Sequence, residues 1–131
     1  MSDAVMVPIS VGELFDKITI LEIKSERIKD EGKLANVNEE LRLLRGIATS
    51  LHVPNRAASA AIVHRLRVVN ERIWDAEDRI REHERQHLFD GSFLDVARSI
   101  YRLNDARAAA KRELNILIPT GIVEEKSYSG Y

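Results

Sequence analysis

Residues 57–87, AASAAIVHRLRVVNERIWDAEDRIREHERQH, decide the fold. Ile62, Leu66, Val69, Ile73, Ala76 and Ile80 recur at alternating intervals of three and four, which lines one side of a helix with apolar groups. Such a stripe is stable only when it is buried against a neighbour. The same spacing returns in Val11, Leu14, Ile18, Leu21 and Ile28, then in Val37, Leu41, Leu44, Ala48 and Leu51. It returns once more in Val96, Ile100, Leu103, Ala110, Leu114 and Leu117. Four stripes predict an all-α protein, an antiparallel four-helix bundle with a long hairpin of the third and fourth helices.

Boundaries follow from capping chemistry. Ser10 with Glu13 reads as a capping box, opening a first helix at about 11–30 that stops near Gly32. Asn36 with Glu39 repeats the pattern and predicts a second helix over 37–51. Pro54 and Asn55 break the chain before a third helix at 57–87. Asp90 and Gly91 form a turn, with Ser92 or Asp90 capping a fourth helix over 93–118 that ends at Pro119. A short extended segment precedes the first helix. The tail 119–131 has no helical period and reads as a docked arm or a strand, with VMVPIS as the available strand partner.

A chain of 131 residues is expected to form one helical domain over 1–131. Its 44% hydrophobic and 31% charged residues suit amphipathic helices, and 20 basic against 21 acidic residues leave a net charge of -1. That balance, with only 5% aromatics, argues against nucleic acid as a partner. No cysteine is present, so disulfides and thiolate metal sites are excluded. MSDAVMVPIS lacks the basic start and apolar core of a signal peptide, and no apolar run approaches the ~20 residues of a membrane span. A cytoplasmic protein, with no membrane partner and no cofactor, is the expectation.

Helix lengths imply a partner. At ~1.5 Å per residue the third helix spans ~45 Å against ~30 Å and ~22 Å for the first two. The short pair covers only half of the long hairpin. Ile73, Ile80, Phe93, Val96, Ala97 and Ile100 then lie on an overhang, which predicts a homodimer unless the tail covers them.

His83–His87 spell HExxH, the zinc-hydrolase pattern, but no third histidine is within reach, Asp90 or Glu113 could complete the set only by special folding, and the surroundings are heavily charged. Glu84 and His87 give one copy of ExxH, where a di-metal bundle needs two. Glu13 with Asp16, and Glu71, Asp75 and Asp78 on one face, would suit a metal-dependent nucleotide pyrophosphatase. Arg72, Arg79 and Arg81 can neutralise those carboxylates without metal, so no metal ligand is assigned. Arg107 holds a stripe position between Leu103 and Ala110, where a charge needs a partner, and Glu77 or Asp78 is the natural one. A turn near residue 90 sets Glu77 across from Asn104, close to Trp74. Either the charges fix the register of the helices, or Glu77, Asp78, Asn104, Arg107 and Lys111, with Arg112 as a further cation, form a site for a phosphorylated or carboxylated metabolite.

The runs VGELFDKITILEIKSERI, WDAEDRIREHE, ARSIYRLNDARAAAKRELN and IVEEKSY resemble those of a family of small, uncharacterised bacterial helical proteins, over nearly the whole chain. The resemblance implies a compact helical protein, carries over no catalytic residue, and does not include the histidines of HERQH. Together these readings favour a non-enzymatic dimeric binding or scaffold module whose partner is a protein or a small anion. The alternatives are an enzyme or binding protein for an anionic metabolite and, further off, a zinc hydrolase.

Overall fold

The computed structural model describes residues 4–130. It has four helices, α1 (Val11–Arg27), α2 (Glu31–Thr49), α3 (Arg56–Gln86) and α4 (Gly91–Leu117), and no strand among the described residues. The fold is an all-α four-helix bundle, as the stripes require. It is not a square one. α3 pairs with α4 along a long hairpin, α1 lies against both, and α2 touches α1 alone.

Each helix starts at a side-chain cap. Ser10, Asp30, Asn55 and Asp90 accept hydrogen bonds from the amides of Glu13, Lys33, Ala58 and Phe93. Asp30 explains the largest departure from the expected boundaries. It opens α2 rather than closing α1, so α1 ends at Arg27 and Asn36 falls inside a helix that starts at Glu31. Ile28 turns the chain by taking extended angles while its amide still reaches the Lys24 carbonyl. Gly32 therefore sits in a first turn and ends nothing.

At the other end of the hairpin, His87 adopts left-handed angles (φ 52°) as the C-cap of α3. Its amide bonds the Glu84 carbonyl and the Leu88 amide bonds that of His83, which stops the helix tightly. The turn is thus centred before residue 90, and the register shifts with it. Arg65 pairs with Glu113, Leu66 packs against Ala110, and His83 meets Ser92. Glu77 consequently does not pair with Asn104. It accepts from Arg81 on its own helix, while Asn104 donates to the Ile100 carbonyl.

α1 carries two buried faces. Leu14, Ile18 and Leu21 meet Leu41 of α2 in an aliphatic cluster flanked by Val37, Leu44, Ala48 and Leu51. Gly12, Asp16, Thr19 and Ile23, also at helical spacing, are buried too. This second face meets the hairpin. A Cβ on Gly12 would lie 2.4 Å from the Lys111 carbonyl oxygen, so only glycine lets α1 approach the α4 backbone here.

The lengths leave an overhang. α3, with 31 residues, spans ~46 Å and α4, with 27, ~40 Å, whereas 17-residue α1 spans ~25 Å. The side-chain bonds from α1 to the hairpin reach α3 at Arg67, Asn70 and Asp75, and α4 at Arg107, Lys111 and Asn115. Past these points the hairpin's far end consists of two helices. Val96 and Ala76 are buried between them, but Ile80, Phe93, Ala97 and Ile100 are only half-buried and Leu88, Phe89 and Leu94 are exposed.

The tail forms no strand among the described residues. It is held as an arm by Glu124, which accepts from the Ser10 hydroxyl (2.6 Å) and the Lys111 ammonium (3.1 Å). The expectations for residues 1–3 and 131 lie outside the described residues. No helix is long and apolar enough to cross a membrane among the described residues.

Candidate functional site

The polar centre of the molecule is Asp16, which is 1% exposed. Its carboxylate accepts two bonds from Arg107 Nε (3.0 and 3.1 Å), one from Arg107 Nη2 (2.6 Å) and one from Asn70 Nδ2 (2.9 Å). Asn70 also donates to the Thr19 hydroxyl, which donates to the Asp16 carbonyl. One side chain from each of α1, α3 and α4 thus meets at a single carboxylate. The forked guanidinium suits such a contact because two parallel donors match two carboxylate oxygens. No buried side-chain polar atom is left without a partner among the described residues.

Arg107 therefore has the acid that its stripe position demands, but that acid is Asp16 and not Glu77 or Asp78. The signal was present in the sequence. Asp16 falls at the same spacing as Gly12, Thr19 and Ile23, a second face that the stronger Leu14–Ile18–Leu21 stripe conceals.

The other candidate residues spread over three hollows. Glu77, Asp78 and Arg107 line one of about 340 Å³ with Trp74 and Lys24. Asn104 lines another of about 720 Å³ between α4 and the tail residues Lys126 and Tyr128. Lys111 borders a third of about 210 Å³ with Arg112 and Glu124. Lys111 also holds Glu13 at 2.6 Å. Burial works to lower the pKa of this ammonium, but its bonds to Glu13 and Glu124 outweigh that and raise it. Burial likewise pushes Glu124 up, and the bonds from Ser10 and Lys111 reverse the direction and lower it.

The metal motifs take other forms. Both ring nitrogens of His83 are engaged, Nδ1 with the Arg79 carbonyl and Nε2 with the Ser92 hydroxyl. His87 lies beyond the helix in its left-handed cap, so the two imidazoles do not share a helical face. No group of three or more metal-ligating side chains occurs among the described residues. Two of the three acids in the row, Glu71 and Asp75, are paired, though by other partners than expected. Glu71 accepts from Arg67 and Asp75 from Arg27, while Arg81 goes to Glu77. Arg67 also contacts Glu22 and Glu26 of α1, and its hydrogen bonds to Glu26 and Glu71 raise its pKa further.

The chain belongs to a family of unknown function (DUF6165), whose profile matches residues 5–131. No curated protein and no solved structure gives a significant match.

Proposed function

We propose that this protein is a non-enzymatic binding module that works as a homodimer, with the far end of the α3–α4 hairpin as the contact between copies. The carrying observation is that α1 covers one half of the hairpin's length and, among the described residues, nothing of comparable size covers the other. Half-buried Ile80, Phe93, Ala97 and Ile100 continue the row that α1 occupies nearer the core, and Leu88, Phe89 and Leu94 stand exposed at the tip. A second hairpin laid against this end completes a four-helix bundle, the ordinary way for two such helices to bury a shared face. The tail passes Ile100 and Tyr101 and leaves the tip open.

The polar centre supports the non-enzymatic part of the reading. Arg107, the charge most suggestive of a metabolite site, is satisfied by Asp16 within the chain and serves to fix helix positions. Light scattering at micromolar concentration tests the dimer. The expected result is a dimer that becomes a monomer in the Phe89→Glu/Leu94→Glu variant, with helicity unchanged by circular dichroism. A monomeric unaltered chain would overturn the reading.

A further inference from the structure

On the outer side of the hairpin, α3 and α4 alone line an open groove of about 620 Å³. Arg72 and Arg79 enter it from α3, and Arg98 and Arg102 from α4. The two acids at its edge do not balance them. Asp75 is drawn off by Arg27 of α1 at 2.5 Å, and no ion pair joins Arg72, Arg79 or Asp95 to an opposite charge among the described residues. Docking of α1 therefore engages one of the groove's two carboxylates and leaves Asp95 against four guanidinium groups. A local excess of positive charge remains on a chain whose net charge is -1.

We propose that this groove binds a ligand carrying two phosphate groups, a diphosphate or a bisphosphate. Guanidinium groups hold phosphate through paired N–H donors, and several converging ones are used where a multiply charged anion is recognised. The layout is longer than one phosphate needs. Arg72 and Arg79 stand two turns apart, ~10 Å along α3, and Arg98 and Arg102 one turn apart, ~6 Å along α4. A volume of this size suits a small molecule. Nucleic acid fits poorly, because Ala76 and Leu103 form the apolar part of the lining and no ring is there to stack a base. This assignment goes beyond the dimer reading and does not depend on it.

Titration calorimetry with inorganic pyrophosphate at constant ionic strength tests it. The expected result is saturable binding of one pyrophosphate per chain, weakened at least ~10-fold in Arg79→Ala and in Arg72→Ala. The control Arg112→Ala, at a residue that lines a separate hollow beside Glu124, leaves the affinity within about twofold. Light scattering on Arg79→Ala checks that assembly is unchanged, so failure here is separable from failure of the dimer. No saturable binding in the millimolar range, orthophosphate binding as tightly as pyrophosphate, or equal weakening by Arg112→Ala would each overturn the proposal. A nucleoside diphosphate separates the two sources of the ligand. Tighter binding than pyrophosphate supports an organic diphosphate, and weaker binding supports the free ion.

Discussion

Toward α2, the central helix offers Leu14, Ile18 and Leu21 to Leu41, a contact of hydrocarbon with one ion pair, Arg45–Glu22, at its edge. Toward the hairpin it offers Gly12, Asp16 and Thr19, and every polar atom there meets a defined partner. The two faces of one helix thus solve different problems. Aliphatic packing supplies burial but tolerates small slides, because methyl groups have no directional preference. A carboxylate held by three directed donors accepts only one arrangement, and a shift of a turn leaves a buried charge unpaired. α2 is correspondingly a lightly attached layer, with Leu41 as its one fully buried residue, whereas α3 and α4 place Leu66, Ala110 and Leu114 at complete burial.

The sharpest break in this comparison is Asp16→Ala. It strands the Arg107 guanidinium and the Asn70 amide together. Arg107 is 30% exposed and can partly turn to water, so we expect the lower end of the usual cost, about 3 kcal/mol, measured by urea denaturation. A loss below about 1 kcal/mol would show that the polar face is dispensable.

Leu41→Ala probes the other face. We expect a loss of about 2 kcal/mol, because α2 can settle onto α1 and shrink the cavity. The pattern should differ as well as the size. Hydrogen exchange should speed up along α2 while amides around Leu66 and Leu114 keep their protection. Uniform acceleration across all four helices would mean that α2 is no separate layer.

The smallest effect is acidification. Glu124 has a lowered pKa in the folded chain, so its contribution is complete above the ordinary carboxylate range and fades as pH falls through the folded value. Lys111 has a raised pKa, so its contribution is complete at neutral pH and fades only as pH rises through its own elevated value. The arm should therefore loosen below the ordinary carboxylate range, read as amide shifts of Glu125 and Lys126. Helicity should not change in that step. An arm that stays docked in acid would show that the Ser10–Glu124–Lys111 contact does not hold it.

The same contrast explains what could be read from the residues. Periodicity reports burial, so the four helices, the aliphatic face of α1 and the caps at Ser10 and Asp90 were legible, while Asn55 read as a break and not as the cap that it is. It is blind to a polar residue on a buried face. Asp16 looked like one member of an acidic pair, although a second row of small and polar residues, Gly12, Asp16 and Thr19, marked where α1 meets α4 and α3. Asp30 misled for a different reason. It is an N-cap residue and so a start signal, but Gly32 two places on reads as a stop, and only the reversal at Ile28 decides between them. The hairpin register turned on a single residue, His87, whose left-handed angles no pattern announces. The arginine groove was hidden because Asp75 appeared available to Arg72 and Arg79, and its capture by Arg27 depends on a contact 48 residues away.

The junction at Asp16 also sets an order of assembly. Its partners lie 54 residues away at Asn70 and 91 away at Arg107, whereas α1–α2 and α3–α4 are joined by short turns. Local pairs close before distant ones because less chain entropy is lost, so each hairpin is expected to collapse alone and the carboxylate to latch them together last. Pulsed hydrogen exchange during refolding reads that sequence of events directly. Until the latch engages, the nascent chain is two loosely acquainted pairs of helices rather than one protein.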